Sequence, residues 1–169
     1  MTKMYDYRTI VVGTDGSPLA IPTVARAAWL AAHDDADLVI VCVYSELSRR
    51  DEARNIATLG GDARIGQVAG RADASAAIAA AVSLAREQSA TISAALLVDG
   101  EPASALLATA VERGADLIVV GAVRDTSIAD RLLGSVASEV ARQAPCDVLV
   151  VRPRPDPDQL PGVAKSATG

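Results

Sequence analysis

The stretch Ile118–Val140, IVVGAVRDTSIADRLLGSVASEV, contains the features that decide the fold. It begins with a β-branched apolar run that predicts a buried strand, and Gly121 ends this run. An irregular loop follows, and Gly134-Ser135 then opens a segment that predicts a helix. A strand, a loop and a helix N-terminus in this order are typical of phosphate-binding sites. Arg124 stands inside the loop, where a small, flexible residue would be easier to place.

Similar apolar runs occur along the whole chain and predict its strands. Four of the five runs are continuous and β-branched, which is typical of strands covered on both faces. The third run is weaker, so we expect it nearer an edge of the sheet. The runs are Thr9–Gly13, Asp37–Val43, Ile92–Val98, Asp116–Val120 and Asp147–Val151.

The segments between these runs have the apolar spacing of helices. Because strand and helix alternate throughout, the sequence predicts an α/β fold: a three-layer, open, parallel, five-stranded sheet with right-handed crossovers. The predicted helices are 17–32, 72–87, 102–113 and 135–143.

The first predicted helix has a stripe of residues that we expect to face the sheet. Its members are Ile21, Val24, Ala25, Ala28 and Trp29.

A chain of 169 residues is typical of one domain, which we place at residues 1–152. The tail, 153–169, is rich in proline and polar residues and is predicted to be disordered. The long connection 45–70 contains charges and glycines, and its length indicates either a functional or a partly disordered segment.

Composition excludes several classes of function. The net charge is −5 and no Lys/Arg-rich run occurs, so we expect no nucleic-acid partner. The sequence has neither a signal pattern nor an apolar run long enough to span a membrane, which predicts no membrane partner and a cytoplasmic location. Cys42 and Cys146 lack metal spacing and are expected to be reduced, buried thiols. The single histidine, His33, is expected at the surface, which excludes a Ser-His-Asp or Cys-His triad.

The candidate site lies where ligands bind in open parallel sheets, at the carboxyl ends of the strands. Gly134 and Ser135 begin a helix whose N–H groups favour an anion. Asp15 suits a ribose hydroxyl or a magnesium ion better than a phosphate. Gly13 and Gly121 would let the backbone approach a ligand.

Structural alternatives exist for these residues. The segment Gly13–Ser17 would also serve as an ordinary strand-to-helix turn, capped by Asp15 or Ser17. Gly134-Ser135 would also serve as an ordinary helix N-terminus. The motifs GxGxxG and GxxxxGK[ST] are both absent.

The motifs together resemble those of the universal stress protein family. The resemblance covers almost the whole core and rests on Thr9–Ser17 (TIVVGTDGS), Gly100–Pro102 (GEP), Ala115–Gly121 (ADLIVVG) and Cys146–Val151 (CDVLVV). It implies the strand order 3-2-1-4-5 and a homodimer paired through the last strand. It also implies two branches, one of which binds ATP or a related adenine nucleotide through the pattern G-x2-G-x9-G-[S/T].

This chain keeps the spacing of that pattern but has Arg124 in place of the second glycine. The resemblance implies that Thr14 and Asp15 meet the nucleoside and that the Val43 backbone meets the adenine edge. It further implies ATP or a related adenine nucleotide as the cofactor, with Mg²⁺ possible at Asp15 alongside ATP. The residues predicted to bind the nucleotide are Gly13, Thr14, Asp15, Val43, Val120, Gly121, Val123, Arg124, Gly134, Ser135 and Val136.

Arg124 has three interpretations. Its side chain would fill the phosphate site, or bind phosphate oxygens as a five-donor cation, or point into solvent. A positive φ at this position would cost roughly 1 kcal/mol, too little to abolish binding. An altered phosphate site leaves ATP, AMP and cyclic AMP as alternative ligands.

The leading hypothesis for function is a homodimeric, nucleotide-binding stress-response protein. It would be a ligand-responsive regulator, because the sequence offers no convincing general base. We assign no catalytic residues and expect at most slow ATP hydrolysis, with a bound metal. The alternative is a homodimeric interaction module that binds no nucleotide. An enzyme of the related adenine nucleotide alpha-hydrolase superfamily is a weaker third hypothesis, because Gly13–Ser17 differs from its SGGxDS-like loop.

Overall fold

A computed structural model of the chain describes residues 4–45, 68–122 and 133–153. Strands and helices alternate in these residues, as the sequence predicts. The strands are β1 Thr9–Thr14, β2 Asp37–Ser45, β3 Val68–Ala69, β4 Thr91–Asp99, β5 Leu117–Gly121 and β6 Asp147–Val151. The helices are α1 Ala20–Asp34, α2 Arg71–Glu87, α3 Pro102–Arg113 and α4 Ser135–Gln143.

The five long strands form one parallel sheet in the order β4-β2-β1-β5-β6. This is the predicted order 3-2-1-4-5, which is therefore confirmed. The weaker third run, now β4, has β2 as its only partner among the described strands and lies at the edge, also as predicted. The two-residue strand β3, which the sequence did not indicate, pairs with the end of β2 at Tyr44 and Ser45.

The helices cover both faces of the sheet, and each face buries a large apolar cluster. Ile10 and Val12 of β1 face α1 and α2, whereas Val11 faces α3 and α4. The helix residues in these clusters are mostly alanines, which let the helices lie close on a sheet of β-branched side chains. The helix after β1 and the helix after β5 thus lie on opposite faces, although the two strands are neighbours.

The buried face of α1 differs from the predicted one. The helix begins at Ala20 rather than residue 17, and Ile21 and Trp29 are 55% and 48% exposed. Trp29 instead stacks on His33 with a ring-centroid distance of 5.4 Å. Small residues meet the sheet because a bulky indole would hold the helix away from it. The buried residues of α1 are Thr23, Val24, Ala27, Ala28 and Ala31.

Two further predictions concern single side chains. His33 is exposed, as expected, with 66% of its side chain accessible. Cys42 is a buried free thiol, and burial, reinforced by the nearby Asp15 carboxylate, raises its pKa to about 11. Cys146 is only half-buried, contrary to expectation, because it directly precedes the edge strand β6. The tail, which is predicted to be disordered, and most of the long connection 45–70 lie outside the described residues, apart from residue 153.

Candidate functional site

A crevice opens at the carboxyl ends of β1, β2 and β5, where the chain leaves neighbouring strands toward opposite faces of the sheet. The divergence of α1 and α4 from β1 and β5 creates the gap in which open α/β proteins bind ligands. The described residues that line it come from both helical layers. They are Gly13, Thr14, Asp15, Ser17, Leu19, Ala20, Thr23, Val41, Val43, Pro102, Leu106, Val120, Gly121, Ala122, Gly134, Val136 and Ala137.

Most of the predicted nucleotide-binding residues meet in this crevice. Ser135 is an exception, because it begins α4 but is exposed and does not line the crevice. Val123 and Arg124 lie outside the described residues, so the three interpretations of Arg124 remain predictions. The predicted residues in the lining are Gly13, Thr14, Asp15, Val43, Val120, Gly121, Gly134 and Val136.

The turn after β1 holds its polar side chains in place through local hydrogen bonds. The Gly16 amide donates to Thr14 Oγ1 at 3.2 Å, and the Ser17 amide donates to Asp15 Oδ1 at 2.9 Å. Gly16 has a φ of +73°, and a Cβ added there would lie 2.7 Å from the Cβ of Ala77 on α2. The turn is therefore fixed against α2 and requires glycine at this position.

The sequence also allowed an ordinary strand-to-helix turn capped by Asp15 or Ser17, and the structure matches this alternative only in part. Asp15 does brace the turn, but neither Asp15 nor Ser17 caps the helix. The N-cap of α1 is Leu19, which makes no side-chain capping bond. Asp15 and Thr14 therefore line the crevice and do not cap a helix.

The two helices on the other face begin differently, and this difference sets the electrostatics of the crevice. Glu101 caps α3, and its carboxylate accepts from the Ala103 and Ser104 amides at 3.0 and 2.8 Å. Burial alone would raise the pKa of Glu101, but these backbone hydrogen bonds hold it below its ordinary value.

No side chain in the described part of the chain caps α4, whose N-cap is Gly134. The Gly134 amide donates to the carbonyl of Ala122 at 2.7 Å, so this glycine does not offer its own N–H to a ligand. The next amides, in the first turn of α4, have no acceptor within the helix. They can bind an anion with help from the helix dipole.

The inner wall of the crevice is apolar. Val43, Val120 and Leu106 are each only 3% exposed and belong to the cluster beneath α3 and α4. A Cβ added to Gly13 would lie 3.2 Å from Leu106 Cδ1, so the space beside this glycine is filled by leucine. The Cβ side of Gly13 therefore faces Leu106, and the approach of its backbone to a ligand stays a prediction.

Sequence reasoning missed Thr23, which also lines the crevice. Its side chain is 1% exposed, and Oγ1 has no hydrogen-bond partner in the described part of the chain. A Cβ added to Gly121 would lie 3.1 Å from this oxygen. The only signal in the sequence is a hydroxyl residue within the buried stripe of α1.

Two negative findings bear on the chemistry. The described ranges contain no group of three His, Cys, Asp or Glu side chains able to hold a metal ion. Among the helices of the same ranges, none is long and apolar enough to cross a membrane.

The parallel sheet and the crevice between the diverging neighbours β1 and β5 place the chain among open α/β folds, in which ligands commonly bind at the carboxyl edge of the sheet. Residues 6–152 match the model of the universal stress protein family. The chain belongs to this family.

Curated relatives and solved structures agree with this assignment. Universal stress protein Rv1636 of Mycobacterium tuberculosis is 39% identical over 148 residues, covering 88% of this chain and 98% of the relative. Universal stress protein MJ0531 of Methanocaldococcus jannaschii is 30% identical over 146 residues, covering 86% and 82%. A universal stress protein crystallised in complex with cAMP superimposes with a TM-score of 0.65 at 36% identity, covering 87% of this chain and 98% of the other.

Proposed function

We propose that this protein binds an adenine nucleotide in the crevice and acts as a cytoplasmic, ligand-responsive stress protein. The observation that carries the proposal is the cAMP complex of a family member that is 36% identical to this chain. The crevice lies at the edge of the sheet where such folds bind ligands, and eight of the predicted nucleotide-binding residues line it.

The three parts of the crevice suit the three parts of a nucleotide. The apolar wall of Val43, Val120 and Leu106 suits a purine ring, because burying a flat apolar surface there displaces water. The Asp15 carboxylate, held by the Ser17 amide, suits the ribose hydroxyls as an acceptor. The first turn of α4, which no described side chain caps, suits a phosphate.

The crevice supports binding better than catalysis. Asp15 is the only titratable side chain among the described residues that line it. General acid–base chemistry commonly needs a second positioned group, so we expect a regulator with at most slow ATP hydrolysis, in which Mg²⁺ would accompany ATP.

Calorimetric titration with cAMP, AMP and ATP, the last with and without Mg²⁺, tests the proposal. We expect binding of at least one nucleotide at about micromolar affinity, which corresponds to roughly 8 kcal/mol. Asp15→Ala should weaken that affinity by about tenfold or more, because hydrogen bonds to a charged group contribute about 1.5–3 kcal/mol. Asp73→Ala, which removes an exposed carboxylate from α2, is the matched control and should bind like the wild type. Absence of heat with all three ligands would favour the interaction module that binds no nucleotide.

We further propose a homodimer paired through β6. Val148–Val151 are apolar but only half-buried, and β6 pairs with β5 alone among the described strands. An apolar edge strand of this kind offers unpaired backbone groups to a second copy.

The dimer is tested by sedimentation analysis of the wild type and two lysine variants. Val148→Lys should yield monomers, because lysine on an edge strand opposes pairing. Val111→Lys makes the same substitution at a position on α3 that is 68% exposed, and it should leave the mass unchanged. A monomeric wild type, or a dimeric Val148→Lys variant, would contradict pairing through β6.

A further inference from the structure

Thr23 carries a buried hydroxyl whose hydrogen bonding is incomplete. The residue is 1% exposed, and its Oγ1 meets neither solvent nor a hydrogen-bond partner in the described ranges. Buried polar groups in native proteins are nearly always paired, because leaving one unpaired is costly. A threonine in a helix commonly satisfies its hydroxyl at a carbonyl of the preceding turn, and Thr23 does not do so.

The position of Thr23 connects it to the phosphate end of the crevice. It lies in the second turn of α1 and lines the crevice together with Gly121 and Gly134. Oγ1 is 3.1 Å from the point where a Cβ on Gly121 would stand, so the hydroxyl uses the space that this glycine leaves. Directly after Gly121, the Ala122 carbonyl accepts from the Gly134 amide, which joins the end of β5 to the N-terminus of α4.

We propose that the Thr23 hydroxyl donates a hydrogen bond to a phosphoryl oxygen of the bound nucleotide. This inference rests on the proposed nucleotide site and adds to it a residue from the opposite helical layer. Among the described residues the hydroxyl has no acceptor, and a phosphoryl oxygen bound at the first turn of α4 can accept from it. Threonine in a helix has two accessible χ1 rotamers, so the hydroxyl can reorient when a phosphate is bound in the crevice.

The arrangement also gives Gly121 a second role. Its missing side chain leaves room for the Thr23 hydroxyl as well as for a ligand. Thr23 and Gly121 therefore form a pair, and a side chain at residue 121 would press on the hydroxyl before it reached any nucleotide.

Thr23→Val tests the proposal, because valine keeps the shape of threonine and removes only the hydroxyl. AMP affinity is measured by calorimetry and adenosine affinity by NMR titration, which detects millimolar binding. We expect Thr23→Val to bind AMP about tenfold more weakly and adenosine as the wild type does, since a hydrogen bond to a charged group is lost only with the phosphate. Thr23→Ser retains the hydroxyl and should keep the AMP affinity within about twofold of the wild type.

Thermal unfolding without nucleotide separates this role from a structural one. Replacing an unpaired buried hydroxyl with a methyl group should leave the Tm of Thr23→Val unchanged or higher, while its AMP affinity falls. Unchanged AMP affinity in Thr23→Val, with a wild type that binds AMP, would overturn the inference alone. Equal losses for AMP and adenosine would overturn the assignment to phosphate. A wild type that binds neither AMP nor adenosine would overturn this inference, and one that also binds neither cAMP nor ATP would overturn the nucleotide site itself.

Discussion

Gly16→Ala is expected to lower the free energy of unfolding by about 3 kcal/mol, combining a left-handed backbone penalty with overpacking. Gly16 has a φ of +73°, which side chains rarely adopt. Its new Cβ would also stand 2.7 Å from Ala77 Cβ, an atom fixed to the backbone of α2. Neither element can yield cheaply, because the turn is braced at Thr14 and Asp15. Chemical denaturation of the purified variant measures the loss.

Two companion variants separate the backbone penalty from the collision. Gly114→Ala also places alanine at a positive φ, +60°, but meets no atom within 4 Å, so it should cost only about 1 kcal/mol. In an Ala77→Gly background the collision is gone, and Gly16→Ala should then cost about as much as Gly114→Ala. Equal losses for Gly16→Ala with and without Ala77 would show that the contact with α2 is unimportant.

Leu106→Ala is expected to cost about 2–5 kcal/mol, the usual range for truncating a buried leucine. Leu106 is 3% exposed and packs against the backbone of β1 beside Gly13, with Cδ1 3.2 Å from the position of an added Cβ. Its removal leaves a gap between α3 and the sheet that backbone on neither side can close. Urea unfolding monitored through Trp29 fluorescence provides the measurement.

Leu106→Met is the matched control, because it conserves volume and should cost less than about 1.5 kcal/mol. Leu106 also forms part of the apolar wall of the crevice. Under the proposed function, Leu106→Ala should therefore weaken AMP and adenosine alike, unlike Thr23→Val. A destabilisation by Leu106→Ala no larger than that by Leu106→Met would mean that the crevice wall collapses onto the gap.

The architecture could be predicted because its causes are local in the sequence. Continuous β-branched runs such as Asp37–Val43 identify strands covered on both faces. Because these strands alternate with helices along the chain, they are expected to form a parallel sheet with helices on both faces. The strand order came from the family resemblance. The inner face of α1 was predicted wrongly, because hydrophobicity favoured Ile21 and Trp29, whereas close packing on the sheet favours alanine.

The candidate site was predictable where a residue lies at the end of a strand or at the start of the helix after β5. Thr14 and Gly121 end their strands, Asp15 directly follows β1, and all three line the crevice. Leu106 and Thr23 reach the crevice from helices on opposite faces, so their contacts with strand-end glycines depend on how the layers pack. The surroundings of Gly13 depend on packing for the same reason, because the sequence does not show that the Leu106 side chain lies beside this glycine.

Because α3 and α4 begin differently, the two helix N-termini beside the crevice differ in charge. Glu101 places a negative charge at the beginning of α3, next to Pro102 of the crevice wall, and repels a phosphate from that side. The first turn of α4 has no such charge in the described part of the chain and attracts a phosphate. A nucleotide entering backwards would meet repulsion at one end and lose attraction at the other. Under the proposed function, the glutamate that caps α3 would therefore favour one orientation of the nucleotide without contacting it.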